Sequence, residues 1–123
     1  MQIRRLGPDD FKASLALRFR ALRNNPEAFG MSIEEAEVAP DEDWRSRLKL
    51  EGDDAIFAAE VDGELVGMTG FRRQKGRKTQ HRAFIWGVYV DPEHRGNGYG
   101  RALVQCAIDH ARTCKELDLI EIS

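Results

Sequence analysis

Glycine recurs at Gly96, Gly98 and Gly100, between an apolar run from Ala83 to Val90 and a stretch whose apolar residues return at helical spacing. This segment, Arg95-Gly96-Asn97-Gly98-Tyr99-Gly100-Arg101, constrains the chain more than any other. The run before it is β-branched and aromatic with little alternation, which predicts a strand inside a sheet, covered on both faces. Gly87 within that run predicts a bulge or a close backbone approach. After the glycines, Leu103, Ala107, His110 or Ala111 and Cys114 mark a helix of roughly 16 residues. A strand feeding a helix through such a turn aims several backbone N–H groups at one spot, where the helix dipole adds about half a positive charge. Glycines hold Cβ atoms away, so an oxygen-rich anion such as a pyrophosphate reaches the amides. Arg95 and Arg101 are placed to add charge-assisted contacts. The competing reading is a turn that merely starts a helix, but three alternating glycines exceed what a cap requires.

The rest of the chain supplies an α/β frame for that turn. Gln2 to Leu6 reads as a short strand, and Gly7-Pro8-Asp9-Asp10 as a helix start with proline and acids in the first turn. Phe11, Leu15, Phe19 and Leu22 then form a helical stripe over residues 9–23, closed by Asn24-Asn25-Pro26. Residues 27–54 carry ten Asp or Glu against three Lys or Arg and read mostly as exposed surface, with a second short helix at 41–50. Ala55–Val61 and Leu65–Phe71 flank Asp62-Gly63, a pair that supplies the positive φ of a type I′ hairpin. Residues 72–82, with six Lys or Arg and no acid, form a basic loop, and Leu117–Ile122 a last strand. The expected order is β-α-α-β-β-β-α-β: antiparallel hairpins first, then a parallel, right-handed βαβ unit.

Composition excludes several classes. A chain of 123 residues fits one domain, 1–123. Its net charge of −2 gives no strong field toward nucleic acid or an acidic membrane. The basic loop lacks the interleaved aromatics of a nucleic-acid platform, so it reads as a solvated hairpin tip, with an acidic acceptor or an anionic ligand group as the competing reading. No apolar run approaches the ~18 residues of a membrane span, and no signal peptide leads the sequence, which leaves the cytoplasm as the expected compartment. Cys106 and Cys114 sit eight apart in the predicted helix, too far to bridge each other. His81, His94 and His110 have no metal-ligand spacing with them, so no metal site is expected. A P-loop pattern is absent. A dinucleotide fingerprint matches at Gly96 and Gly98 but meets Arg101 where its third glycine belongs, which keeps a Rossmann-type nucleotide-binding fragment only as an alternative.

Arg95-x-x-Gly98-x-Gly100, led by Val88-Tyr89-Val90-Asp91-Pro92-Glu93-His94, resembles the Gln/Arg-x-x-Gly-x-Gly/Ala signature of the GNAT superfamily of N-acetyltransferases. Phe19-Arg20-Ala21-Leu22-Arg23 and Pro26-Glu27-Ala28-Phe29-Gly30 are similar to the amino-terminal part of many bacterial members. The resemblance implies a mixed central sheet of the acyl-CoA N-acyltransferase type, incomplete at its C-terminus. It implies acetyl-CoA as co-substrate, its pantetheine arm paired with backbone groups of Val88 and Val90, and its pyrophosphate on the amides of Arg95, Gly96, Asn97, Gly98, Tyr99, Gly100 and Arg101. An extended amide-bearing arm pairs with a splayed strand as an extra strand would. The acceptor is a primary amine of a small molecule or a protein.

Deprotonating a lysine amine at pH 7 costs about 4.6 kcal/mol and an α-amine about 1, so the need for a base depends on the acceptor. By the same resemblance, Glu121 in Leu119-Ile120-Glu121-Ile122 occupies the place of a catalytic strand glutamate. A solvent-facing strand carboxylate is the competing reading. The family continues with a tyrosine-bearing helix and further strands, absent from this sequence; the expectation is a truncated domain whose last strand invites association with a second copy. A catalytically silent acetyl-CoA-binding module is the remaining alternative.

Overall fold

The strands of this chain lie side by side in the order in which they occur. The computed structural model describes residues 2–24, 54–74, 82–114, 117 and 119–122. β1 (Gln2–Arg5) leads through a 3-10 turn at Pro8–Asp10 into α1 (Phe11–Asn24). β2 (Ala55–Val61), β3 (Glu64–Arg73) and β4 (Arg82–Val90) follow, and a second 3-10 turn at Pro92–His94 precedes α2 (Tyr99–Arg112) and β5 (Leu119–Ile122). The helix expected at 41–50 and the centre of the basic loop lie outside the described residues.

The sheet order is β1-β2-β3-β4-β5, antiparallel through β4 and parallel between β4 and β5. This is the expected mixed sheet. A doubly wound nucleotide-binding fold is built on a mostly parallel sheet, whereas three of the four strand pairs among the described residues are antiparallel, so the Rossmann alternative does not apply. The hairpin turn has the anticipated geometry, with Asp62 at φ 52° and Gly63 at φ 81°.

Strand alternation divides the core between two helices. Ile56, Ala58, Met68 and Tyr89 pack with Leu17, Ala21 and Leu22 of α1, while Phe57, Ala59, Phe71, Ile85 and Val90 pack with Leu103, Ala107 and Ala111 of α2. On α1 the expected stripe faces the core, with Phe11 and Leu22 buried, and the seam is wider than the stripe. Ser14, Leu17, Arg18 and Ala21 are buried, whereas Leu15 and Phe19 are only partly so. Small residues let the helix approach the sheet, and the larger apolar ones cover its flanks. α2 is shorter than predicted, at 14 residues. Cys114 therefore lies past its last turn, where its N–H and that of Thr113 donate to the carbonyls of Ala111 and His110 at 3.0 Å. Neither Cys106 nor Cys114 is in a disulfide, and the Cys114 thiol donates to the His110 carbonyl at 3.5 Å.

Two close approaches position the site. A Cβ on Gly67 would stand 2.9 Å from the Tyr89 carbonyl oxygen and 3.1 Å from Leu103 Cδ1, so glycine lets α2 settle against β3. In β4 the register shifts from Met68↔Tyr89 to Gly70↔Trp86, which sets Gly87 and Val88 together against Thr69. The bulge expected at Gly87 is present. Its consequence departs from the fully covered strand of the sequence reading, since Val88 is 38% exposed.

Candidate functional site

The glycine-rich turn closes one side of a cleft whose other side is the end of β4. Gly96 (φ 85°) and Gly98 (φ 81°) are both left-handed, a conformation that disfavours any side chain. A Cβ at either position would meet no atom within 4 Å. The glycines therefore serve the backbone path, and both line the cleft. Gly98 is the N-cap of α2 without a side-chain cap, and its carbonyl accepts the Ala102 N–H at 3.0 Å. The N–H groups of Tyr99, Gly100 and Arg101 thus precede the first intrahelical bond, at the positive end of the helix dipole. Asn97 braces the turn by donating from Nδ2 to the His94 carbonyl at 3.2 Å. The His94 ring stacks on Tyr99 with centroids 6.0 Å apart, and its buried Nδ1 has no hydrogen-bond partner.

The facing wall comes from β4. Asp91 N–H donates to the Val66 carbonyl at 2.8 Å, which makes Gly67–Val90 a non-hydrogen-bonded pair. Val90 therefore turns its own N–H and carbonyl away from β3. On that side β5 pairs only with Arg82–Ile85, so among the described residues no strand lies beside Trp86–Val90. Between this edge and the turn lies a cleft of about 670 Å³, lined by Val88–Val90 and by residues from His94 to Arg101. Every predicted cofactor-contacting residue except Asn97 lines it.

Arg95 lines the cleft and is also engaged with the strand. Its Nε donates to the Val90 carbonyl at 2.9 Å and its guanidinium lies 5.8 Å from the Tyr89 ring centre. It ties the turn to the strand. Beneath it lies a polar network that local spacing does not reveal. Tyr89 Oη donates to Asp91 Oδ1 at 3.0 Å and accepts from Asn24 Nδ2 at 3.3 Å. Arg20 Nε reaches Asp91 Oδ2 at 3.1 Å, and its terminal nitrogen donates to the Leu65 carbonyl at 2.7 Å. Burial is the main force pushing the Tyr89 phenol above its ordinary range, and Asp91 adds to it, so the hydroxyl stays a donor.

The remaining candidates separate from this cleft. Glu121 is the β5 register partner of Phe84, about four residues along β4 from Val88. Arg72 and Arg82 stand at the other end of β4, about 25 Å from the turn at 3.3 Å per residue. That distance removes the basic loop's described ends from a ligand held in the cleft. Burial, with Asp109 nearby, pushes the Cys106 thiol up, away from a reactive thiolate. Among the described residues no group of His, Cys, Asp and Glu could hold a metal, and no helix is long and apolar enough to cross a membrane.

A cradle of uncapped amides beside an open strand edge suits an extended, diphosphate-bearing ligand. The chain is 33% identical over 106 residues to a mycothiol acetyltransferase of Thermobispora bispora, an alignment covering 85% of this chain and 34% of that protein. It is 30% identical over 113 residues to an uncharacterized N-acetyltransferase of Methanocaldococcus jannaschii, covering 89% of this chain and 47% of the relative. The chain thus spans from about a third to a half of the length of these curated relatives. A crystal structure of a ribosomal-protein-alanine N-acetyltransferase from Brucella melitensis superposes with a TM-score of 0.71 at 27% identity, over 98% of this chain and 73% of that one. Residues 18–122 match the family model described as the acetyltransferase (GNAT) family, and the chain belongs to that family.

Proposed function

We propose that this protein binds acetyl-CoA in the cleft between β4 and the glycine-rich turn and transfers its acetyl group to a primary amine. One observation carries the reading: the uncapped start of α2, opened by left-handed Gly96 and Gly98, faces a β4 edge with no strand beside Trp86–Val90 among the described residues. The amides from Arg95 to Arg101 hold the pyrophosphate, and Val90 offers its outward N–H to the pantetheine arm. Val88, beyond the bulge, extends the same edge toward the thioester.

Acetyl-CoA supplies an activated thioester. A C–N bond forms as the C–S bond breaks; the amine gives up one proton and the leaving thiolate takes one. A backbone N–H near Val88 polarises the thioester carbonyl, an oxyanion-type contact. Glu121, on the strand beside Phe84, is the group we assign to receiving the amine's proton. The acceptor's identity sets how much that base contributes, since an α-amine is largely neutral near pH 8 and a lysine amine is not.

Thiol release on a panel of amines, together with thermal shifts in acetyl-CoA and in NAD, tests the reading. Stabilisation by acetyl-CoA alone with acceptor-dependent thiol release is expected. Acetyl-CoA binding without turnover on any amine would assign a silent binding module instead, and equal stabilisation by NAD would remove the cofactor assignment.

A further inference from the structure

Asp91 is the joint between the two walls of the cleft. Its N–H donates to the Val66 carbonyl at 2.8 Å and its carbonyl accepts the His94 N–H at 2.9 Å, so one residue ends the β3–β4 ladder and starts the path into the glycine-rich turn. Its carboxylate is 12% exposed and is held from the α1 side. Tyr89 Oη donates to Oδ1 at 3.0 Å, and Arg20 Nε and a terminal nitrogen each lie 3.1 Å from Oδ2. The same terminal nitrogen donates to the Leu65 carbonyl at 2.7 Å. Leu65 and Val66 are consecutive, so Asp91 is tied to one step of β3 twice, once by its own main chain and once through Arg20.

Charge alone does not require an arginine at this place. Half-buried ion pairs return little net stability, because desolvation and side-chain ordering offset the attraction. A planar guanidinium adds a fixed fork, which sets where its partners stand relative to one another. Neither Arg20 nor Asp91 lines the cleft. What Arg20 does for a ligand it does through the walls: the direction in which the chain leaves β4 at Asp91 sets the spacing between Val88–Val90 and the turn. A ligand that meets both walls at once depends on that spacing, whereas one that meets only the turn does not. We infer that Arg20 is a positioning residue for the cofactor, acting through Asp91 to hold the β4 edge and the glycine-rich turn at the distance an extended, diphosphate-bearing ligand needs. This inference rests on the acetyl-CoA reading and deepens it.

Titration of acetyl-CoA and of ADP, which carries a diphosphate but no pantetheine arm, tests this on the wild type, Arg20→Lys, Asp91→Asn and their double variant. Lysine keeps the charge and loses the fork. Arg20→Lys and Asp91→Asn are each expected to weaken acetyl-CoA binding about tenfold and ADP binding less than about twofold, and to raise the KM for acetyl-CoA with kcat unchanged. The double variant is expected to lose no more than the larger single effect, since the two residues act as one unit. Arg20→Gln, read the same way, stands in if Arg20→Lys does not fold. Equal weakening of both ligands would mean a general loss of structure and overturns the inference. So do wild-type affinity for acetyl-CoA in the Arg20 variants and losses that multiply in the double variant; each of these leaves the acetyl-CoA reading standing. If ADP binds too weakly to titrate, the double variant decides on acetyl-CoA alone. A wild-type protein that does not bind acetyl-CoA overturns the reading and the inference together.

Discussion

Arg95 folds back on its own strand, its Nε donating to the Val90 carbonyl at 2.9 Å. The residue at the head of the glycine signature is therefore a brace between turn and strand. Its contact distinguishes geometry from charge. Arg95→Lys keeps the charge but lacks the planar fork that reaches the carbonyl. Both Arg95→Ala and Arg95→Lys are expected to weaken acetyl-CoA binding by about tenfold, the scale of one charge-assisted hydrogen bond. Calorimetric titration checks this, and full rescue by lysine would show that charge alone matters.

Gly67 is where α2 presses on the sheet. A methyl group there would stand within 3.1 Å of Leu103 Cδ1 and 2.9 Å of backbone oxygen. Gly67→Ala is expected to destabilise the fold by about 1–3 kcal/mol through overpacking. Urea denaturation measures it, and an unchanged midpoint would contradict the packing described.

Asp91 joins α1 to the end of β4. Replacing it with alanine removes the acceptor of the Tyr89 hydroxyl and the nearer of the two carboxylates on Arg20, leaving Glu64 at 3.8 Å. A loss of about 2–3 kcal/mol is expected. Tyr89→Phe removes only the hydroxyl's bonds and is expected to cost less, about 1 kcal/mol. A reversed order in thermal denaturation would mean that Arg20 is not held by Asp91.

How much of this was legible in sequence follows from the range over which each feature is determined. The Asp62-Gly63 hairpin, the left-handed glycines and the uncapped start of α2 are local demands on φ, and each appears where its residues stand. The bulge at Gly87 was legible as a break in an otherwise β-branched run. The Arg20–Asp91 contact joins residues 71 apart in the chain, and no spacing rule links them. The α1 stripe was legible at Phe11 and Leu22, but periodicity of large apolar side chains did not reveal that Ser14, Leu17, Arg18 and Ala21 are buried with them. The charge of Arg95 is visible in sequence, and the Val90 carbonyl that its Nε meets is not.

Asp10 ties the first turn to β1, accepting from Arg4 at 2.9 Å and from the Gly7 N–H at 2.8 Å. Hydrogen bonding to Arg4 holds its carboxyl below the ordinary value despite burial. A depressed folded-state value contributes stability above the unfolded carboxyl range, and that stability is lost as pH falls below about 4. Both partners are partly exposed, so Asp10→Asn is expected to cost on the order of 1 kcal/mol at pH 7 and progressively less as pH falls below the unfolded carboxyl range. A pH-independent difference in denaturation midpoints would remove the ion pair from the account.

The grip of main-chain amides at the start of α2 on a diphosphate is tested most directly by titrating acetyl-CoA into the wild-type protein and Gly98→Glu. The variant puts a carboxylate into the open space beside Gly98, where the pyrophosphate is proposed to lie. Its far-ultraviolet circular dichroism should match the wild type while affinity falls by at least a hundredfold. Retained affinity in a folded Gly98→Glu protein would contradict the account.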